Sequence, residues 1–367
     1  SEIIATLDEE QLEAAKRATT TAFYTPPWLA ASIWSGVRRS LGFTGGRVLE
    51  AGCGSGLFFD DAVGELVGVE ADPVTAEAAR LRHPEATIVT SRFERFTAPA
   101  GSFDLVIGNV PFGKDTPYDP IDNPAGLAIH NYFIAKALRL VRPGGVVAVV
   151  TSRFTLDAGT TKARDEIARW GSLLGVVRFP EGTFADMGTN VVADLLIFRR
   201  DDTDGSPRLA DASWRASTKL AGRYDLEIPR YMRNRDDTIP TMNTLFDVGS
   251  PTVGVVGELV VGSGMYGSGS VTWRLERGAD VQREMTKTVA RVFDAVAATH
   301  TFDHTAPLAS FDPTAATPDT KVLPGTIRIA GSGFERFTAI DGWIGHDAGR
   351  EAAELTALIE LRDAVRT

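Results

Sequence analysis

The sequence predicts an α/β fold: a doubly wound, mostly parallel sheet followed by a smaller strand-rich C-terminal region. Three observations carry that expectation. Short apolar runs alternate with helical patterns through residues 1–200. Those runs are near-continuous in Val, Leu and Ile, as strands covered on both faces must be. After Arg200 the composition turns to glycine, serine and short β-prone segments.

From the N-terminal side, RVLEAGCGSG (47–56) is a strand running into a glycine loop, and LVGVEADP (66–73) is a second strand that ends in acids. PVTAEAARLRH (73–83) is a helix opened by proline, which has no N–H to lose in a first turn. ATIV (86–89) is a third strand and FDLVIGNVPFG (103–113) a fourth, with a long polar loop from Lys114 to Pro124. HNYFIAKALRLVRPGG (130–145) has apolar positions at helical spacing and a Pro-Gly-Gly stop. VVAVVTSRF, GVVRFP and VVADLLIFRR supply later strands. DDTDGSPRLADAS (201–213) is a linker or hairpin, so the boundary is drawn there. A catalytic domain spans 1–200, and a smaller accessory or target-recognition region spans 201–367. Residues 286–300 and 348–366 read as helices; the last has no stop signal, and Ser1 in place of methionine implies a trimmed chain.

The 367 residues suit two domains at roughly 150 residues each. A net charge of −10 weighs against strong unaided binding to a polyanion. The single cysteine, Cys53, excludes an internal disulfide and a multi-cysteine zinc site, and the expected compartment is cytoplasmic. No apolar run reaches the roughly 18 residues of a membrane span. His300 and His304 lack a carboxylate set beside them, so no metal is expected.

The glycine loop is the first chemical signal. Gly52, Gly54 and Gly56 let backbone approach a ligand closely, but their spacing is not the G-x-G-x-x-G of dinucleotide sites. The loop suits the methionine half of S-adenosylmethionine better than a pyrophosphate. Glu70 stands 20 residues after Glu50, at the end of the next strand in GVEADP, where an acid can accept from both ribose hydroxyls. Glu50, the three glycines, Glu70 and Ala71 are therefore cofactor candidates.

The second signal is IGNVPFG (107–113) at the end of the fourth strand, on the same sheet edge. Asn109-Val110-Pro111-Phe112 resembles the Asn-Pro-Pro-Tyr/Phe motif of amino-group methyltransferases acting on adenine N6, with valine at the second position. TAFYTPPWLA (21–30) resembles the Tyr-Thr-Pro-Pro segment of the gamma motif order. The resemblance implies that Tyr24, Thr25 and Pro26 close over the methionine carboxylate. Residues 130–157 and 178–200 are similar to later motifs of that domain, and 242–267 to a segment of the large phage and plasmid methyltransferases of the DarB type. Those are often fused to a helicase-like region, which here would be absent, or lie beyond Thr367 or in a partner.

The resemblance implies a Rossmann-like S-adenosylmethionine-dependent methyltransferase fold and DNA as substrate. Asn109 and the Val110 carbonyl would accept from the target amine, Pro111 would shape the turn, and Asn109 would also border the cofactor. Phe112 would stack on a base extruded from the duplex or taken from a single strand. Phe184 would be a second aromatic wall, or core. The family's acid after the third strand is missing from TIVTSRFERF (87–96). Ser91 or a backbone group would read the cofactor adenine there, and Phe93 would stack on it or serve as core. Methylation at cytosine C5 needs a thiolate nucleophile, and Cys53 lies inside the cofactor loop, so that reaction is excluded. Cytosine N4 stays open, as do a protein-glutamine or RNA substrate and a cofactor-binding antirestriction scaffold without catalysis. Arg223, Arg230, Arg233 and Arg235, interleaved with Tyr224 and Tyr231, form the densest basic stretch, diluted by four nearby acids.

Overall fold

The computed structural model describes residues 25–206, 213–220, 240–264, 267–312, 327–331, 333–338, 342–349 and 352–365. Eight strands form the central sheet: β1 (Arg47–Ala51), β2 (Glu65–Glu70), β3 (Thr87–Thr90), β4 (Phe103–Asn109), β5 (Val141–Ser152), β6 (Gly171–Phe179), β7 (Ala193–Arg200) and β10 (Val253–Val255). Their spatial order is β3-β2-β1-β4-β5-β7-β6-β10. All neighbours are parallel except β7, which runs antiparallel to both β5 and β6. The order reverses between β1 and β4, so the crevice for a ligand opens beyond the carboxyl ends of those two strands.

The alternation of side chains along each strand divides the core in two. On one face Val48, Leu105, Ile107 and Val146 meet α1 (Pro27–Ser35), α2 (Pro73–Arg82) and α6 (Val281–Ala297). On the other, Leu49, Val106 and Val147 meet α3 (Ile129–Leu140) and α5 (Lys162–Ala168). A single-turn helix, α4 (Phe154–Asp157), comes after β5.

The boundary expected at residue 200 does not hold. β10 pairs with β6 in register Val253–Val176 to Val255–Arg178, which completes the main sheet. α6 buries Met285, Val289, Val292, Phe293 and Val296 in the same core as α1. Gly36, in the π-helical turn that continues α1, lies directly under Phe293: a Cβ there would come within 2.1 Å of the ring. Trp214 and Asn243 are likewise buried against α4, with Asn243 Nδ2 donating to Leu156 O at 3.2 Å and Trp214 O at 2.6 Å. Segments well past 200 are therefore walls of the same core. Composition does not reveal this, because their apolar positions are packed by partners elsewhere in the sequence, more than 200 residues away where Phe293 covers Gly36. The remaining described strands form small antiparallel pairs and a three-stranded sheet: β8 (Ser217–Lys219) with β9 (Thr241–Asn243), β11 (Glu258–Gly264) with β12 (Gly267–Arg274), and β13 (Ile327–Ala330), β14 (Gly333–Thr338) and β15 (Gly342–His346). A last helix, α7, spans Ala352–Val365. No described helix is long and apolar enough to cross a membrane.

Candidate active site

The glycine loop turns back over β2. Gly52 and Cys53 both donate their N–H to Val69 O, at 2.7 and 3.0 Å. Gly52, Gly54 and Gly56 have φ of 74°, 55° and 82°, a left-handed backbone that side chains resist. Nothing lies within 4 Å of where a Gly54 Cβ would stand, so the loop opens there. His83 closes the far end, packed so near Gly56 that a Cβ would fall 2.7 Å from its ring. Glu70 ties loop to strand: its Oε2 accepts from Gly54 N–H at 2.9 Å and its Oε1 from Asp72 N–H at 2.8 Å. The exposed Ala71 begins the turn between them.

Glu50 is 3% exposed, and its Oε2 has no hydrogen-bond partner. Burial, then the charges of Glu70 and Asp60, push its carboxyl well above the ordinary range. Its stem lies against Gly108, where a Cβ would stand 3.1 Å from Glu50 Cγ. A buried acceptor without a donor beside an open glycine cradle is what a cofactor carrying an ammonium and hydroxyls would fill.

Asn109–Phe112 leaves the sheet beside this loop. Asn109 pairs with Val150 in register, and Val110 N–H donates to Val150 O at 3.0 Å. Val110 is 4% exposed, which turns its side chain into the core and leaves its backbone at the edge. A Cβ on Gly52 would stand 3.8 Å from Pro111 Cδ, so the two motifs predicted from separate stretches of sequence are neighbours. Phe112 is half-buried and packs against both halves of the core, at the seam above the sheet. The turn is fixed from behind: His130 Nδ1 lies 3.2 Å from Gly113 O, and burial holds its imidazole below its ordinary value.

The loop beyond Phe112 is locked as well. Asp119 Oδ2 accepts from Tyr132 OH at 2.7 Å and from Lys136 Nζ at 3.1 Å. Against the upward push of burial, Lys136 and these bonds hold the Asp119 carboxyl below its usual value. Lys136 Nζ also donates to Phe93 O at 2.8 Å, which joins this loop to the turn after β3. There Ser91 N–H donates to Glu70 O at 2.8 Å.

Two aromatic candidates are deeply buried. Phe93 is 2% exposed, with its ring centroid 4.6 Å from that of Phe133 and 6.1 Å from that of Phe96, the packing of its core alternative. Phe184 is also 2% exposed and edge-on to Phe179. Thr25 is buried, and Pro26 O starts α1 by accepting from Leu29 N–H at 2.9 Å. α1 reaches the end of the glycine loop through Trp34 Nε1, which donates to Phe58 O. Tyr24 and the arginine–tyrosine stretch at 223–235 lie outside the described residues. Cys53 is buried beneath its loop, and burial pushes its thiol up, as a residue barred from nucleophilic attack would be. His304 Nε2 is 2.8 Å from Gly42 O and its ring stacks on Phe302, a structural use.

A buried charge cluster that the sequence reading did not anticipate stands at the same edge. Arg178 Nε and Nη2 bond Asp194 at 2.8 Å each, and Arg178 Nη1 lies 2.9 Å from Asp157. Burial alone would lower the Arg178 pKa; Asp157 and Asp194 more than reverse this. The signal was present: an arginine inside GVVRFP and an aspartate inside VVADLLIF must find each other once their strands are buried. A cavity of about 520 Å³ lined by Trp34, Arg38, Phe43 and Asp61 lies at the opposite edge, by the start of β1.

The strand order, the left-handed glycine loop and the acid that ends β2 make this the Rossmann-like S-adenosylmethionine-dependent methyltransferase fold. Residues 49–111 match the family described as a methyltransferase domain, and S-adenosylmethionine is the methyl donor of that fold. The chain is 30% identical over 198 residues to the defense against restriction protein B of Escherichia phage P1, a match covering 52% of this chain and 9% of that protein. It is also 30% identical over 148 residues to the rRNA N(6)-adenosine-methyltransferase metl-5 of Caenorhabditis elegans, covering 37% of this chain and 65% of that enzyme. The chain thus spans less than two thirds of either relative. Among solved structures, it aligns with the methyltransferase subunit of a type I restriction-modification system from Streptococcus thermophilus. That alignment has 18% identity and a TM-score of 0.41, and covers 50% of this chain and 46% of the other.

Proposed function

We propose that the chain is a DNA methyltransferase acting on the exocyclic N6 of adenine. The observation that carries this reading is the proximity of Pro111 to Gly52 of the glycine loop, where an added Cβ would meet Pro111 Cδ at 3.8 Å; it supports Asn109–Phe112 lying beside the cofactor cradle. Glu50, Gly52, Gly54, Gly56, Glu70 and Ala71 hold the cofactor, with Thr25, Pro26 and Asn109 at its margin. S-adenosylmethionine supplies an electrophilic methyl group on a sulfonium.

The chain's residues prepare the amine. Its lone pair is delocalised into the ring, and two acceptors on its hydrogens draw the nitrogen toward tetrahedral geometry. The Asn109 side-chain oxygen and the Val110 carbonyl are those acceptors. Their bonds strengthen as the nitrogen gains positive charge, so they act on turnover more than on binding. Phe112 offers the stacking face for the extruded base. The phage relative, whose name ties it to defense against restriction, supports DNA as the polymer and an antirestriction setting. A helicase-like region beyond this chain would supply the DNA affinity that a charge of −10 does not.

RNA is the second reading, favoured by the nematode rRNA adenosine-N6 relative. Transfer of labelled methyl to unmethylated DNA, ribosomal RNA and protein, with mass analysis of the modified nucleoside, separates these. N6-methyldeoxyadenosine is the expected product; N4-methylcytosine, or label only in RNA or protein, overturns the proposal. Asn109→Ala is expected to slow transfer about 10²–10³-fold, as loss of one preorganised polar group does, with cofactor affinity within a few-fold. Cofactor binding with no transfer by the parent chain to any polymer would make it a scaffold.

A further inference from the structure

The cavity of about 520 Å³ by the start of β1 lies at the opposite edge of the sheet from the cofactor cradle and the Asn109 turn. Its volume is that of a small-molecule site. Trp34 and Phe43 form its buried floor, with ring centroids 6.3 Å apart, and Phe302 packs on Phe43 at 4.8 Å. Arg38, Arg39, Thr44 and Asp61 also line it. The two arginines lie on the π-helical turn Gly36–Ser40, a form frequent at functional sites. That turn is pinned at both ends: Gly36 packs under Phe293, and Ser40 Oγ donates to Asp294 Oδ1 at 2.6 Å.

Both arginines are exposed, and among the described residues neither guanidinium makes an ion pair or a hydrogen bond. Asp60, Glu65 and Asp294, which adjoin the lining residues in the chain or through Ser40, are engaged with Arg82, Arg47 and the Ser40 hydroxyl. Asp61 alone shares the cavity, and it too has no partner among the described residues. Two cations therefore face one carboxylate, in a chain whose net charge is −10. Adjacent arginines left unpaired in so acidic a molecule keep a local positive potential for an anion. A carboxylate balances one guanidinium. A phosphomonoester carries about −1.5 to −2 at neutral pH and three acceptor oxygens, which suits the pair. Ionised Asp61 only accepts, so it is matched to a hydroxyl. We infer that this cavity binds a sugar phosphate or nucleoside monophosphate, with the phosphate on Arg38 and Arg39 and a sugar hydroxyl on Asp61. The site is separate from the methyl-transfer site and does not depend on which polymer is methylated.

The test is calorimetric titration of the full chain, saturated with S-adenosylhomocysteine so that the cofactor cradle is occupied. The probes are uridine 5′-monophosphate, uridine and inorganic phosphate. Uridine 5′-monophosphate should bind saturably, and uridine about 10-fold or more weakly, as loss of a charge-assisted contact implies. Arg38→Ala and Arg39→Ala should each weaken the nucleotide about 10-fold or more. Their melting temperature and S-adenosylhomocysteine affinity should match the parent, because both side chains are exposed. Asp61→Ala should narrow the preference for uridine 5′-monophosphate over inorganic phosphate, since only the sugar needs that acceptor. A 5′-phosphorylated dinucleotide binding more tightly than the mononucleotide would locate the phosphate at a nucleic-acid end, and the reverse order in a free nucleotide; both satisfy the inference. Absence of saturable nucleotide binding up to about 5 mM overturns it. So does parental affinity when both arginines are changed to alanine, uridine binding as tightly as its phosphate, or an unchanged preference in Asp61→Ala.

Discussion

Around Arg178, each buried charge meets an opposite one: two aspartates bracket the guanidinium, a backbone N–H satisfies Asp157, and the Phe246 ring covers the assembly at 4.0 Å. Around Glu50, the acids face one another instead. Glu50 and Glu70 repel, and one Glu50 oxygen has no donor. Both regions lie at the carboxyl edge of the same sheet, and both remove carboxylates from water. A cluster complete in itself contributes to the fold and holds its neighbours in position. A cluster left electrically incomplete costs stability until something else completes it, which is the mark of a ligand site.

The largest effect should come from spoiling the complete cluster. Asp194→Ala leaves Arg178 buried with one partner and should destabilise the chain by about 3–5 kcal/mol in urea unfolding. Cofactor affinity of the folded fraction should change far less. A loss under about 1 kcal/mol would show that the cluster is not self-contained.

Next is the acid that ends β2. Glu70→Ala should weaken S-adenosylmethionine binding by about 1.5–3 kcal/mol for each ribose bond lost, measured by calorimetry. Unchanged affinity would remove Glu70 from the site.

The sharpest contrast lies in Glu50→Gln. Because the folded carboxyl is raised above its unfolded value near about 4.3, stability linked to it is complete below that value. It is then lost as pH rises toward the folded pKa. The cofactor-free parent should therefore lose stability through this window, and Glu50→Gln should flatten the slope and be the more stable of the two near pH 7. The same variant should bind S-adenosylmethionine more weakly. Loss of both stability and affinity would mean that Glu50 is an ordinary core residue.

The smallest effect on pH dependence is expected from Lys136→Met, which removes the tie between Asp119 and the turn after β3. Its loss of stability at neutral pH should be of the same order as for Asp194→Ala, because Asp119 is left buried without its cation. Asp119 is held below its ordinary value, so its stabilising share is present above about pH 3.9 and lost on acidification. Lys136→Met should shrink that acid-side dependence, visible as a shallower fall in melting temperature from about pH 5 to 3.

The features legible in the sequence were those fixed by neighbouring residues. The glycine loop, the acid ending β2 and the Asn109 turn each depend on a strand and the few residues after it, and each stands where the pattern placed it. The helix at 27–35 was not foreseen; Pro27 occupies its first turn, where proline fits. Phe93, Phe154 and Phe184 are the same residue type at strand ends, and only tertiary packing decides that Phe154 alone is exposed. The domain boundary failed for a related reason: glycine-rich composition marked a real change of texture, but β10 and α6 return to the first core.

The contact between Gly36 and Phe293 has a consequence during synthesis. At about 5–20 residues per second, roughly 13–50 s separate the appearance of these two positions. Throughout that interval Ile33 and Val37, which the finished molecule hides completely, have no α6 to cover them. The nascent chain must carry an uncovered greasy strip on its earliest described helix while the rest is being made. Its yield in the cell should therefore depend on holdase capacity and translation speed more steeply than the stability of the finished protein would indicate.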